Sequence, residues 1–277
     1  MFTWSYWEPL RIIIMERIRA IIIKEWREVF KNKFVLFTVS FLPLMITALP
    51  LVVLYFAGAS DDFTSISAAD LPPQFEQLCG DLSGGDCMLY YIVTQFLLLF
   101  MMVPVIIPMT IASYSIVGEK TTRTLEPLLA TPVTTIEILV GKGLAGVIPA
   151  VVTTWIGYLI YAAGAYLMVS NSAVVSKLFD PLWMIAIFLV GPLLSLLGVS
   201  ISVMISSRVN DPRVAEQISG IFVLPVVGLF IGQMTGLILV NETFILWLAA
   251  ALLILDAVLF YFAVQIFQRE TILSRWK

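Results

Sequence analysis

The chain has 277 residues, of which 13% are charged and 60% hydrophobic, with a mean hydropathy of +0.99. A soluble domain carries about twice that share of charge and could not cover a core of this size with so few polar side chains. The composition is that of an integral membrane protein. Histidine is absent, which removes Ser-His-Asp and Cys-His catalytic sets and His-based zinc sites. The formal net charge is −3, and no nucleic-acid partner is expected.

In chain order, residues 1–33 form the first unit. Trp4, Trp7 and Pro9 precede a charged helical pattern, so the opening does not read as a cleavable signal peptide. Ile14, Ile18, Ile22, Trp26 and Val29 make one stripe of a helix, with Arg17, Lys24, Glu28 and Lys31 opposite. This predicts an amphipathic helix at the membrane interface. Glu25 falls inside the apolar arc and wants a cation, from elsewhere in the protein, from a neighbouring chain, or from a nearby Lys or Arg of its own helix.

A crossing of the hydrocarbon core takes about 20 apolar residues. Six stretches qualify: 34–57, 89–117, 143–169, 181–206, 217–240 and 243–265. Pro104 and Pro108 predict a kink or break in the second, and Pro225 one in the fifth. Residues 34–265 are thus read as an all-α, six-helix transmembrane domain, and 266–277 as a tail.

Fifteen of the sixteen Lys and Arg lie in residues 1–33, the loop 118–142, the loop 207–216 and the tail, against Lys177 alone on the other side. The positive-inside rule then puts both termini in the cytoplasm. The loop 58–88, with six acids and no cation, falls outside. It holds both cysteines, Cys79 and Cys87, which form either one disulfide or two unpaired thiols.

The loop 118–142 is long but patterned. Thr131 suits an N-cap with Pro132 at the first helical position, followed by Ile136, Ile138, Leu139 and Val140 on one side and Glu137 and Lys142 on the other. The expectation is a short helix parallel to the membrane before the chain re-enters, suited to docking a partner protein.

Inside the spans, Asp256 stands near the middle of the last one, where a bare carboxylate costs at least ~2.5 kcal/mol. It is read either as part of a cation or substrate pathway or as a protonated acid in one interhelical hydrogen bond. Gln95 and Gln233 are weaker versions of the same signal. Gly228, Gly232 and Gly236 recur at helical spacing and predict a close helix contact, between subunits or within one.

The set Glu119-Lys120, Thr124-Leu125-Glu126, Leu128-Leu129, Thr131-Pro132-Val133-Thr134, Glu137-Ile138-Leu139 and Gly141-Lys142 resembles the loop of ABC-2-type transporter permeases. Lys24-Glu25-Trp26-Arg27-Glu28 before Phe34 and Pro43, and Arg208 to Gln217 before the fifth span, extend the resemblance in order along the chain. Arg123 departs from it, standing where many members have Gly. The resemblance implies a homodimer of six-helix permeases in a bacterial or archaeal cell membrane, each bound to a separate ATPase that holds the ATP and Mg²⁺. It implies a coupling helix that docks on that ATPase, carried here by Thr131, Pro132, Val133, Thr134, Ile136 and Glu137. Glu119, Glu126, Lys24 and Glu25 are implied to support that contact.

Leu82-Ser83-Gly84-Gly85-Asp86 mimics an ABC ATPase signature, but it lies in the acidic outer loop, and no Gly-x-x-x-x-Gly-Lys-Ser/Thr loop is present. This chain is therefore expected to hold no cofactor and to be no enzyme. A secondary carrier or channel centred on Asp256 would show internal symmetry between halves, and none is visible. A membrane enzyme would need convergent nucleophile, base or metal ligands near one face, and with no His and both Cys outside, the candidates are few. The apolar pathway walls favour a lipid, drug or hydrophobic peptide as exported substrate, with sodium left open by Asp256.

Overall fold

The computed structural model describes residues 7–59, 85–122, 133–169, 171–238 and 240–266. No strand occurs among them, and six helical stretches are long and apolar enough to cross a membrane. The protein is a multi-pass, all-α membrane protein.

Helix α1 spans Trp7–Val29 and α2, the first span, Lys33–Ala59. Asn32 starts α2, its side chain accepting from the Phe34 amide at 3.0 Å. The second span is broken, as its prolines predict: α3 runs Gly85–Phe100 and α4 Val103–Thr121, with a turn at Met101–Met102 and Pro104 in the first turn of α4. The third span is one helix, α5, over Thr135–Met168.

The fourth span is segmented. Helix α6 (Ser172–Ser176), a 3₁₀ turn (Lys177–Phe179), α7 (Pro181–Ile185), a π turn (Ala186–Val190) and α8 (Gly191–Ser206) follow one another. The fifth breaks before Pro225, into α9 (Pro212–Gly220), a 3₁₀ turn (Ile221–Val223) and α10 (Leu224–Met234). The sixth is α11, Glu242–Ile266.

Helices α4 and α8 form the centre, packed on each other and on α5. Small residues set that approach. A Cβ on Gly198 would lie 2.8 Å from the Val105 carbonyl oxygen, so only glycine lets α8 sit against α4 there. Ser113 and Ser202 share a hydrogen bond of 2.8 Å across the same seam.

Only Gly228 and Gly232 of the fifth span's glycine stripe lie on a helix. Helix α10 ends at Met234, and Gly236 follows at φ 72°, a left-handed conformation that terminates it. A Cβ on Gly232 would meet the Ile238 side chain of that turn, and one on Gly228 meets nothing within 4 Å among the described residues.

Helix α5 has 34 residues, roughly 51 Å at 1.5 Å per residue, against a hydrocarbon core of about 30 Å. It outruns the bilayer by several turns. Its first turns carry Glu137 and Lys142, so the excess lies at that end, termed the foot, where α1 also packs.

Candidate functional site

At the foot, α1 lies along the start of α5 and runs in the same direction. Arg17 Nη1 is 3.6 Å from Glu137 Oε1, Ile21 packs on Gly141, Lys142 reaches Glu25, and the Trp26 indole donates to the Ala145 carbonyl at 2.9 Å. A Cβ on Gly141 would come within 2.7 Å of Ile21, so this glycine admits α1 to the bundle. The face α1 buries is Ile21, Glu25 and Val29. This differs from the expected stripe: Ile14 is exposed, and Ile18, Ile22 and Trp26 are half-buried. Helix α1 thus buries its inner face in protein, because a lysine on α5 awaits Glu25.

That lysine is Lys142. Its ammonium lies 2.7 Å from Glu25 Oε1 and 2.8 Å from Glu119 Oε2, and donates to the Ser115 hydroxyl at 2.8 Å. Lys24 closes the cluster, bonding to Glu119 Oε1, 3.7 Å from Glu25 and 3.6 Å from Glu28. Glu25, Glu119 and Lys142 are 1%, 4% and 2% exposed. Two carboxylates and two ammoniums from α1, α4 and α5 thus offset one another, with Glu25, Glu119 and Lys142 buried and Lys24 half-exposed at the rim. Sequence reasoning placed Lys142 among the loop cations; the signal that points to it is Glu25 itself, an acid on an apolar face.

Burial opposes the charge on Glu25, but the Lys142 ammonium, with Ser115 and Lys24, holds its carboxyl below the ordinary value of 4.5. Burial also opposes the charge on Lys24, and Glu119, with Glu25 and Glu28, holds its ammonium above 10.5. The Glu25 contribution is complete above the ordinary carboxyl value and lost as pH falls through the lowered one. The Lys24 contribution is complete below 10.5 and lost as pH rises through the raised value. A nitroxide on an Arg19→Cys variant, at an exposed position of α1, should report constant mobility from about pH 5 to about pH 10 and rising mobility on either side. A monotonic change across neutrality would contradict this account.

Glu119 and its neighbour Lys120 reach in opposite directions. Lys120 donates to the carbonyls of Ser207 at 3.2 Å and Val209 at 3.3 Å, tying α4 to the turn between α8 and α9. On α9, Glu216 accepts from Thr110 of α4 at 2.6 Å. The last turn of α4 therefore joins α1, α5 and the fourth-to-fifth span connection, and the chain leaves it directly into residues 123–132.

The start of α5 corrects the expected cap. Thr134 is the N-cap: its hydroxyl accepts from the Glu137 amide at 3.3 Å, while the Glu137 carboxylate accepts from the Thr134 amide at 2.6 Å. No break separates these turns from the third span, so the expected short lateral helix is, from Thr135 on, the protruding start of α5. Glu137 is buried, Val133 half-buried, and Thr134 and Ile136 exposed, Ile136 by 53%. Glu126, Thr131 and Pro132 lie outside the described residues.

The other candidates lie apart from the foot. Cys87 is disulfide-bonded and buried at the start of α3, and Cys79 lies outside the described residues. Among the described residues, Gln95 on α3 is buried with neither amide atom hydrogen-bonded, and Gln233, on the facing α10, has its amide oxygen unbonded. Asp256 is buried with neither carboxyl oxygen hydrogen-bonded among the described residues. No cluster of metal-ligating side chains occurs among those residues.

Six helices long and apolar enough to cross a membrane, with a protein-buried ionic foot, define a polytopic membrane protein. Residues 19–245 match the family described as ABC-2 family transporter protein, and the chain belongs to that family. No curated protein matches it.

Proposed function

We propose that the chain is the permease subunit of an ATP-driven exporter whose ATPase is a separate polypeptide carrying ATP and Mg²⁺. The foot faces the cytoplasm, in line with the fifteen cations on that side. The ATPase docks on residues 123–136, and two permease copies form the working unit in the cell membrane. The observation that carries the reading is the convergence at the foot. The segment between α4 and α5 is anchored at one end by Glu119 and Lys120 and at the other by Glu137 and Lys142. A push on it reaches α1, three spans and the connection to a fourth together, as alternating access requires. The cargo is a hydrophobic or amphipathic molecule; export of sodium or another cation through Asp256 is the second reading, favoured by carboxyl oxygens that meet no hydrogen bond among the described residues.

The test is co-expression with a cassette ATPase, purification in lipid and measurement of ATPase activity. Ile136→Asp is the informative variant, because Ile136 is exposed. Glu137→Lys would break the helix cap and the Arg17 pair as well. We expect the wild type to co-purify with an ATPase, and Ile136→Asp to lower the complex yield at least tenfold with the permease still folded. An unaffected complex, or no ATPase bound by the wild type, overturns the coupling assignment.

A further inference from the structure

An apolar cavity of about 410 Å³ opens between α3, α8, α10 and α11. Its walls include Leu98, Leu197, Val226 and Leu229, and on α11 it extends from Phe244 to Leu259. No charged or hydrogen-bonding side chain is among the lining residues. It exists because α10 leans on α3, whereas α11 packs on α8. We propose that this cavity binds a single long alkyl chain, and that the exported molecule carries one.

Shape and chemistry select that occupant. Fifteen residue steps of α11 span roughly 22 Å, so the cavity is an elongated, wholly apolar slot, the shape and chemistry of an extended alkyl chain. A transmembrane helix, about 10 Å across, does not fit, so the space is not the seat of a second copy's span. Water has no polar partner there. A sugar, nucleotide or inorganic ion would lose its hydration with nothing in return. The length also exceeds one leaflet, about 15 Å of a 30 Å core, so a chain filling the cavity passes the bilayer midplane. A lipid seated in one leaflet does not need that; an amphiphile moving between leaflets does. Asp256 is not among the lining residues although Leu252, Leu255 and Leu259 of the same helix are, so the cavity is not built around a cationic headgroup.

The assignment to an exported molecule rests on the permease reading, whereas the binding itself does not, and one experiment separates them. The full-length protein is placed in nanodiscs of saturated phosphatidylcholine. It is then photolabelled with a diazirine fatty acid or with a phosphatidylcholine bearing the same diazirine chain. We expect labelling of the peptide holding Val226 and Leu229 at least fivefold above that of the exposed positions Leu253 and Ile254. Val226→Trp and, separately, Leu229→Phe should remove most of it, with labelling at 253–254 unchanged and each variant monodisperse. Cavity labelling no higher than at 253–254, or unmoved by both fills, overturns the site. Adding an associated ATPase with ATP should then lower labelling by the single-chain probe. Labelling that persists under active hydrolysis identifies a resident bilayer lipid and overturns the cargo assignment alone. Failure of any ATPase to associate overturns the permease reading and leaves the binding result standing.

Discussion

Replacing Lys142 by methionine should release α1 from the bundle and lower stability by roughly 3–5 kcal/mol, the cost of stripping a buried ion pair of one partner. Methionine keeps the length of the side chain, so the loss isolates the charge. Glu25 then keeps the more distant Lys24, whose side chain is 39% exposed, as its cation among the described residues. The decisive comparison is with Lys142→Met/Glu25→Gln. Removing the stranded carboxylate as well should recover at least half of the lost stability, because a neutral site lacks the desolvation cost of an unpaired charge. Chemical denaturation in detergent and nitroxide mobility at position 19 read the two effects. A single variant as stable as wild type, or a double variant no better than the single, would show that the cluster holds nothing together.

The cluster was half legible in the sequence. Glu25 on an apolar face demanded a cation, and the demand was correct. The donor was hidden because hydropathy opens the third span at residue 143, one position after Lys142, whereas the helix begins at Thr135. Hydropathy marks where lipid begins and does not mark where a helix begins. A lysine on the protruding turns of a span looks like a loop residue until a second helix is laid against it. Gly141 carried the complementary signal, a missing side chain beside the lysine, but the approach of Ile21 that gives it meaning joins positions 120 residues apart.

The spans themselves were readable because length and apolarity alone decide whether a helix can cross, and Pro104 and Pro225 marked two of the breaks. The π turn at Ala186–Val190 had no such marker. The cap moved from Thr131 to Thr134 because Glu137 sits three residues after Thr134 and closes a reciprocal pair of bonds. The glycine stripe is shorter than its spacing suggests, for a different reason. Spacing by fours assumes the helix continues, and at Gly236 it has already ended. The seam that glycine does build is at Gly198, where tight packing on the Val105 carbonyl depends on the partner helix and leaves no repeat to read.

Asp256→Leu should make the protein more stable, by about 1–3 kcal/mol, while abolishing transport. The buried face of α11 is otherwise Ile245, Ala249, Leu252 and Ala263, all apolar, and both carboxyl oxygens lack a hydrogen bond among the described residues. An unsatisfied polar group in such a place carries its desolvation cost with no return. Leucine removes that cost at similar volume, whereas Asp256→Asn leaves an amide equally without partners and should gain little. Such a cost persists in a membrane span where the group is needed for function, so the stability gain and the loss of transport belong together. Sodium titration separates the two transport readings. An ion held by the carboxylate raises the denaturation midpoint of the wild type and leaves that of Asp256→Leu unmoved; a substrate with an alkyl chain gives no sodium dependence in either. A leucine variant less stable than wild type would mean that the carboxyl has a partner in the assembled transporter, and the second copy of the chain is where that partner must then be sought.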